Sequence, residues 1–199
     1  MTPTAFPAVL HVDAHTLTRI LLAHDGSTTN LLATAMQEPL SIRVVLQASR
    51  PAAGVLATKA LARMGAASDD LMILRRSQLI LARTGVAVTA NKVVLNPRHP
   101  SVAPLVDGID VPIGPLLAAS RVEQHRELLD TGVRRWSWGP PEPVSQTPMS
   151  VWRSYVIVLQ GRPALYVEEV FHPDLIPALP SMLDDPGLID EPSGLGQAG

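Results

Sequence analysis

The sequence of 199 residues contains no cysteine, and this absence excludes several classes of protein. Disulfide frameworks, thiolate zinc sites, iron–sulfur clusters and cysteine nucleophiles all need a thiol. A chain without disulfides also fits a reducing compartment. The N-terminus lacks the basic and long apolar segments of a signal peptide, so we expect a cytoplasmic protein.

Charge of one sign is equally scarce. Sixteen basic and 18 acidic residues leave a formal net charge of -2. Nucleic-acid binding needs a basic face that neutralises phosphates, and the sequence offers none, so we expect no nucleic-acid partner. No segment approaches the roughly 18 uninterrupted apolar residues of a transmembrane helix, so we expect no membrane span.

Apolar residues, by contrast, make up 46% of the chain, which is enough for one sizeable core. A chain of this length fits a single domain and buries roughly 70% of its unfolded surface, so it needs no disulfide or metal to fold. We place this domain at residues 1–180. Residues 181–199 are rich in Pro, Gly and Asp, and we expect a flexible tail there.

Patterns along the chain predict an α+β fold built on one antiparallel sheet, with helices packed on one face. Hairpins dominate and parallel βαβ units are absent. The predicted elements are helices over 16–23 and up to Met36, a strand over 40–48, a hairpin of 71–82 and 86–95, a short helix ending near Ser120, and a hairpin of 151–159 and 164–171. Residues 52–64 are weakly helical, and 121–129 stay open between helix and strand.

The last strand, with the sequence RPALYVEEVF, carries a candidate carboxylate. Alternate side chains of a strand face opposite sides, so Glu169 shares a face with the large apolar Leu165, Val167 and Phe171. A carboxylate in such surroundings needs a cation or a ligand beside it, which is typical of an active site. Glu168 stays open as the buried carboxylate, and a solvent-exposed glutamate is the structural alternative.

Two adjacent arginines, Arg75 and Arg76, interrupt the apolar strand LMILRRSQLILA. They point to opposite faces, so at most one of them lines a given pocket. An arginine on an apolar strand needs an anion, either Glu169 or the carboxylate of a ligand. A structural ion pair is the alternative. Both faces of this strand are mostly apolar, so alternation does not choose between the two arginines.

Familiar cofactor and hydrolase motifs are missing. Glu123, His125 and Glu127 would share one face of a strand, but no HExxH pattern and no second group of ligands accompanies them, so we expect no metal. The patterns GxSxG, GxGxxG and the P-loop are also absent. Serine hydrolases and enzymes that bind dinucleotides or nucleotide phosphates therefore lack support.

Four segments, in this order, resemble the chorismate pyruvate-lyase family: DGSTTNLL, RSQLILARTGVAVTANKVV, PIGPLLAAS and WRSYVIVLQGRPALYVEEVF. Together they span roughly residues 16 to 177. The resemblance implies an antiparallel sheet with helices on one side of an enclosed pocket. It also implies a lyase that converts chorismate to 4-hydroxybenzoate and pyruvate without a metal or an organic cofactor.

The resemblance also implies roles for single residues. The family's arginine ligand falls on Arg76, judged by its spacing to the hairpin turn, and its carboxylate falls on Glu169 in a Glu-x-Phe ending. Arg76 would hold the ring carboxylate of chorismate together with backbone amides near Ser27, Ile113 and Gly114. Glu169 would meet the ring hydroxyl at the other end.

Two alternatives stay open. Ligand-sensing domains of some bacterial transcription regulators are similar in fold to this family and bind small effectors without turning them over. They normally follow a winged-helix domain, and we expect none here because only some fifteen residues, with no basic recognition helix, precede the first predicted helix. A relative from specialised metabolism would keep the fold and act on another cyclic enol ether or aromatic acid.

Overall fold

A computed structural model of the chain describes residues 13–107, 111–136 and 148–184. Within these ranges six antiparallel strands form one sheet: β1 Leu40–Pro51, β2 Leu71–Leu81, β3 Ala87–Leu95, β4 Gln124–Arg135, β5 Met149–Leu159 and β6 Arg162–Phe171. Their order across the sheet is β1-β2-β3-β6-β5-β4. The sheet therefore consists of two three-stranded meanders, which meet where β3 pairs with β6.

Short helices connect and cover the strands. They are α1 Ala14–Ala23, α2 Thr28–Met36, a 3₁₀ turn at Ala52–Gly54, α3 Thr58–Met64, α4 Ala103–Asp107, α5 Ile113–Ser120 and α6 Pro180–Leu183. Asp13 caps α1 and Ser27 caps α2, each by accepting a hydrogen bond from a first-turn amide. Among the described residues no helix is long and apolar enough to cross a membrane.

Alternation along the strands gives the sheet two faces, and each buries its own core. On one face Val93, Tyr155 and Val167 pack against residues of α4 and α5, and we call it the α5 face. Helices α1 and α2 cover the other end of the α5 face. On the second face Val94 and Tyr166 pack against α3, and we call it the α3 face.

The predicted α+β fold with a single antiparallel sheet is confirmed. Both predicted hairpins are present, as β2–β3 and β5–β6. Residues 121–129, which the pattern left open, lead into β4, and 52–64 form the 3₁₀ turn and α3. Four helices lie on the α5 face, and α3 adds a smaller layer on the α3 face.

The predicted domain limits are described only in part. Residues 1–12 of the predicted domain lie outside the described residues. Of the predicted tail at 181–199, the first residues belong to the end of α6, and 185–199 lie outside the described residues.

Candidate functional site

A cavity of about 500 Å³, counting its opening to solvent, lies between the α5 face of the sheet and the helices above it. The floor of the cavity is formed by strand residues that include Ser77, Asn91, Val93, Tyr155, Val167 and Glu169. The roof is formed by Ser27, Thr28, Thr29, Pro112, Ile113 and Gly114.

Two helices begin in the roof of the cavity. Ser27 caps α2, whereas α5 begins after Pro112 without a side-chain cap. First-turn amides have no partner within their own helix, and the partial positive charge of a helix N-terminus favours anions. The two starts also lie close together, because a Cβ atom on Gly114 would stand 2.9 Å from Ser27 Oγ. Glycine is therefore the residue that allows this approach.

A polar row crosses the floor of the cavity. Strand pairing aligns Ser77, Asn91, Glu169 and Arg153 on four neighbouring strands, and all four are buried. Asn91 Oδ1 has no hydrogen-bond partner within the described part of the chain. A buried acceptor without a partner is unfavourable, so this oxygen is suited to accept a hydrogen bond from a ligand. The next row along the strands is apolar and contains Val93, Val167 and the ring of Tyr155.

The carboxylate of Glu169 is held by an arginine and a threonine. Its Oε2 accepts from Arg153 Nε at 2.9 Å and from Thr28 Oγ1 at 3.0 Å. Thr28 Oγ1 in turn accepts from Arg153 Nη2 at 2.7 Å. The hydroxyl proton of Thr28 is thus directed at Glu169, and this chain of charge-assisted bonds fixes the orientation of the carboxylate.

The same arginine closes the end of α1. Arg153 is fully buried, and its Nη1 donates to the carbonyl oxygens of Leu21 and His24. Carbonyl groups at a helix C-terminus carry partial negative charge, so a guanidinium stabilises them. Arg153 also lies 5.1 Å from the ring centre of Tyr155. Burial, together with the charge of Glu169, raises the pKa of Tyr155, so its hydroxyl stays protonated near neutral pH.

Four of the five predicted site residues line the cavity, namely Ser27, Ile113, Gly114 and Glu169. The fifth, Arg76, does not. It pairs with Lys92, which pairs with Glu168, so it lies on the α3 face. The expectation that Arg76 faces the cavity is wrong. Side chains of β2 alternate without an extra residue from Arg75 to Leu79, so Ser77 and Leu79 line the cavity and Arg76 faces the other side. The resemblance alone had chosen Arg76, because both faces of the strand are mostly apolar in sequence.

Arg75 lies on the α5 face, and its Nε and Nη2 are used within the protein, whereas its buried Nη1 has no partner among the described residues. Arg75 Nε donates to Gln47 Oε1 at 2.7 Å, and Nη2 donates to the carbonyl oxygen of Leu105 at 2.6 Å. Burial lowers the pKa of Arg75. Neither arginine of β2 lines the cavity, and the residues of β2 that do so are Ser77 and Leu79.

Sequence reasoning missed two arginines of the site. Arg153 is a single cation on an otherwise apolar strand, which is the pattern that drew attention to the arginines of β2. It shares a face of β5 with Tyr155 and Ile157. Arg126 also lines the cavity, but it lies in a segment whose secondary structure the pattern left open. Glu123, His125 and Glu127 flank Arg126, and the described part of the chain holds no cluster of three or more side chains that could bind a metal ion.

The fold is shared with solved structures of other proteins, although the sequences differ widely. No curated protein matches the chain. Its structure is similar to that of PhnF from Mycobacterium smegmatis, with a TM-score of 0.54 at 12% identity over 77% of this chain and 67% of that one. For the effector domain of PhnF from the same organism, the TM-score is 0.52 at 12% identity over 75% and 90% of the two chains. At such low identity the likeness shows the fold alone.

A match to a protein family extends over most of the sequence. Residues 22–179 match the family described as Chorismate pyruvate-lyase Rv2949c-like. This range contains all six strands and every predicted site residue, and it confirms the resemblance found in the four segments. The chain therefore belongs to the Chorismate pyruvate-lyase Rv2949c-like family.

Proposed function

We propose that this protein is a lyase that cleaves chorismate into 4-hydroxybenzoate and pyruvate. The observation that carries the proposal is the cavity of a member of this family, which joins two helix starts to an oriented carboxylate, Glu169. The helix starts suit a carboxylate group of the substrate. Glu169 suits a hydroxyl group at the other end of the same molecule.

The reaction needs no oxidant or reductant. Chorismate carries a ring carboxylate, an enolpyruvyl ether and, on the adjacent ring carbon, a hydroxyl group. The ether bond between the ring and the enolpyruvyl oxygen breaks, and the adjacent carbon loses its hydrogen as a proton. The ring becomes aromatic, and the enolpyruvyl group takes up a proton to give pyruvate. Because aromatisation is strongly favourable, the protein has mainly to orient the ether and exclude water.

The residues of the cavity divide between the two ends of the substrate. Backbone amides near Ser27, Ile113 and Gly114 hold the ring carboxylate at the helix starts. Glu169, kept in place by Arg153 and Thr28, accepts a hydrogen bond from the ring hydroxyl. The apolar floor contacts the ring between these two ends.

The test is to incubate purified protein with chorismate in the presence of a chelator. Both products are followed by chromatography against a protein-free control. We expect 4-hydroxybenzoate and pyruvate in equal, protein-dependent amounts. If neither product exceeds the control while the protein remains folded, the proposed reaction is refuted.

A second candidate is a sensing function, in which the cavity binds an aromatic acid without turning it over. It is favoured by the fold shared with the effector domain of PhnF and by the absence of both β2 arginines from the cavity. Tight binding of 4-hydroxybenzoate without any turnover of chorismate would support it. Turnover of a different cyclic enol ether would instead support a specialised-metabolism relative.

A further inference from the structure

The charges that line the cavity are unevenly balanced. Among the described residues that line it, Glu169 and Arg126 are the two with charged side chains. The charge of Glu169 is balanced by Arg153, which is buried behind it and bonded to it at 2.9 Å. The charge of Arg126 is left over, so the cavity as a whole carries one excess positive charge.

The guanidinium of Arg126 is only partly used within the protein. Arg126 Nη1 donates to the carbonyl oxygen of Asp25 at 2.8 Å, and the group lies 5.9 Å from the ring centre of Tyr155. Its Nε is buried and has no partner among the described residues. A guanidinium offers five N–H donors, so most of its capacity is available to an anion.

The position of Arg126 places this cation at one end of the cavity. Arg126 pairs with Ile157, four residues along β5 from Arg153. At the rise of a β-strand this separation is about 13 Å between backbones. The bond to Asp25 holds Arg126 under the loop that leads to Ser27 and the start of α2. Arg126 thus lies beside the loop that precedes α2, whereas Thr28, the first residue of α2, contacts Glu169 of the polar row.

We infer that Arg126, rather than an arginine of β2, binds the carboxylate of the ligand, whose hydroxyl at the far end lies beside Glu169 and Asn91 in the polar row. The guanidinium and the first-turn amides of α2 and α5 form a convergent set of donors. The apolar row between the two ends fits a flat six-membered ring. This inference rests on the proposed function and assigns its specificity to residues of this chain.

The experiment compares two probes of equal shape, 4-hydroxybenzoate and the uncharged 4-hydroxybenzamide, by isothermal titration calorimetry. The unchanged protein should bind the carboxylate at least about tenfold more tightly than the amide, as expected for a hydrogen bond to a charged group. Arg126→Gln should abolish this preference, because it should lower the affinity for 4-hydroxybenzoate and leave the affinity for 4-hydroxybenzamide unchanged. Arg126→Lys should restore part of it, because a point charge replaces the planar guanidinium.

A matched control sharpens the test. Arg134→Gln removes an arginine of the same strand from the α3 face and should leave the preference intact. An equal loss of affinity for carboxylate and amide in Arg126→Gln would indicate a structural role only and overturn the inference.

The outcomes separate this inference from the proposed reaction. Turnover of chorismate with an unchanged carboxylate preference in Arg126→Gln would overturn the inference and leave the lyase. No turnover, with a preference that depends on Arg126, would support the inference and refute the lyase. If the unchanged protein binds neither probe, the inference is refuted, and the turnover of chorismate decides separately on the lyase.

Discussion

Two neighbouring glutamates of β6 make ion pairs of the same kind on opposite faces of the sheet. Glu169 on the α5 face bonds to Arg153 at 2.9 Å, and their side chains are 6% and 0% exposed. Glu168 on the α3 face bonds to Arg134 at 2.7 Å, with side chains 17% and 28% exposed. Alternation alone separates these two pairs, since adjacent strand residues face opposite sides.

The difference lies in what each arginine does besides pairing. Arg153 also bonds to Thr28 and to the end of α1, so removing it leaves several buried polar groups unsatisfied. Arg134 stacks 5.2 Å from the ring of Trp152 and remains in partial contact with water. A fully buried pair is costly to break, whereas a pair in partial contact with water costs less to lose. We therefore expect the Glu169–Arg153 pair to contribute to stability and activity. The Glu168–Arg134 pair should contribute little to stability and nothing to activity.

The largest expected effect is on the stability of an Arg153→Met variant. The substitution keeps most of the side-chain volume but leaves Glu169 as a buried charge without its partner. We expect the free energy of unfolding to fall by about 3–5 kcal/mol. Urea denaturation followed by circular dichroism measures it. Arg134→Met is the matched control, with an expected loss of about 1 kcal/mol or less. Equal losses in the two variants would contradict the comparison.

The next effect concerns turnover by a Glu169→Gln variant. The amide keeps the shape of the side chain but cannot act as a base or as an equally strong acceptor for the substrate hydroxyl. We expect kcat/KM for chorismate to fall at least about a hundredfold, which is the lower range for loss of an acid–base group. Glu168→Gln is the control and should stay near the unchanged protein. If Glu168→Gln is the variant that loses activity, the glutamate assignment is wrong.

The smallest effect is the pH-dependent stability that Glu168 provides. Burial raises the pKa of Glu168, but Arg134, Lys92 and the hydrogen bond from Tyr166 outweigh it, so the pKa lies below its ordinary value. A carboxyl group with a lowered pKa stabilises the fold above its unfolded pKa and loses that contribution as the pH falls through the folded value.

Glu168→Gln should therefore lower the free energy of unfolding at neutral pH by about 1 kcal/mol or less. The difference from the unchanged protein should shrink as the pH falls through the lowered pKa of Glu168. Urea unfolding at neutral and at acid pH checks this. A difference that grows toward acid pH would contradict the sign of the shift.

The site shows how far local patterns extend. Glu169 was identified by alternation on a strand without bulges between Leu165 and Phe171 in its pairing with β3. Alternation could not decide between Arg75 and Arg76, because both faces of β2 are mostly apolar, and the resemblance chose the arginine that faces away from the cavity. Ser27, Ile113 and Gly114 were found by resemblance, and their proximity depends on how α2 and α5 pack over the sheet.

By itself the sequence determined the elements and their class, because apolar periodicity, caps and turn residues act over a few positions. It also identified Glu169 as a candidate buried carboxylate, with Glu168 and an exposed glutamate left open. Only the tertiary structure decided which partners these residues meet. Arg153 reaches Glu169, Thr28 and the end of α1 across intervals of 16, 125 and 132 residues. Contacts over such separations arise from strand order and register, and single residue patterns do not encode them.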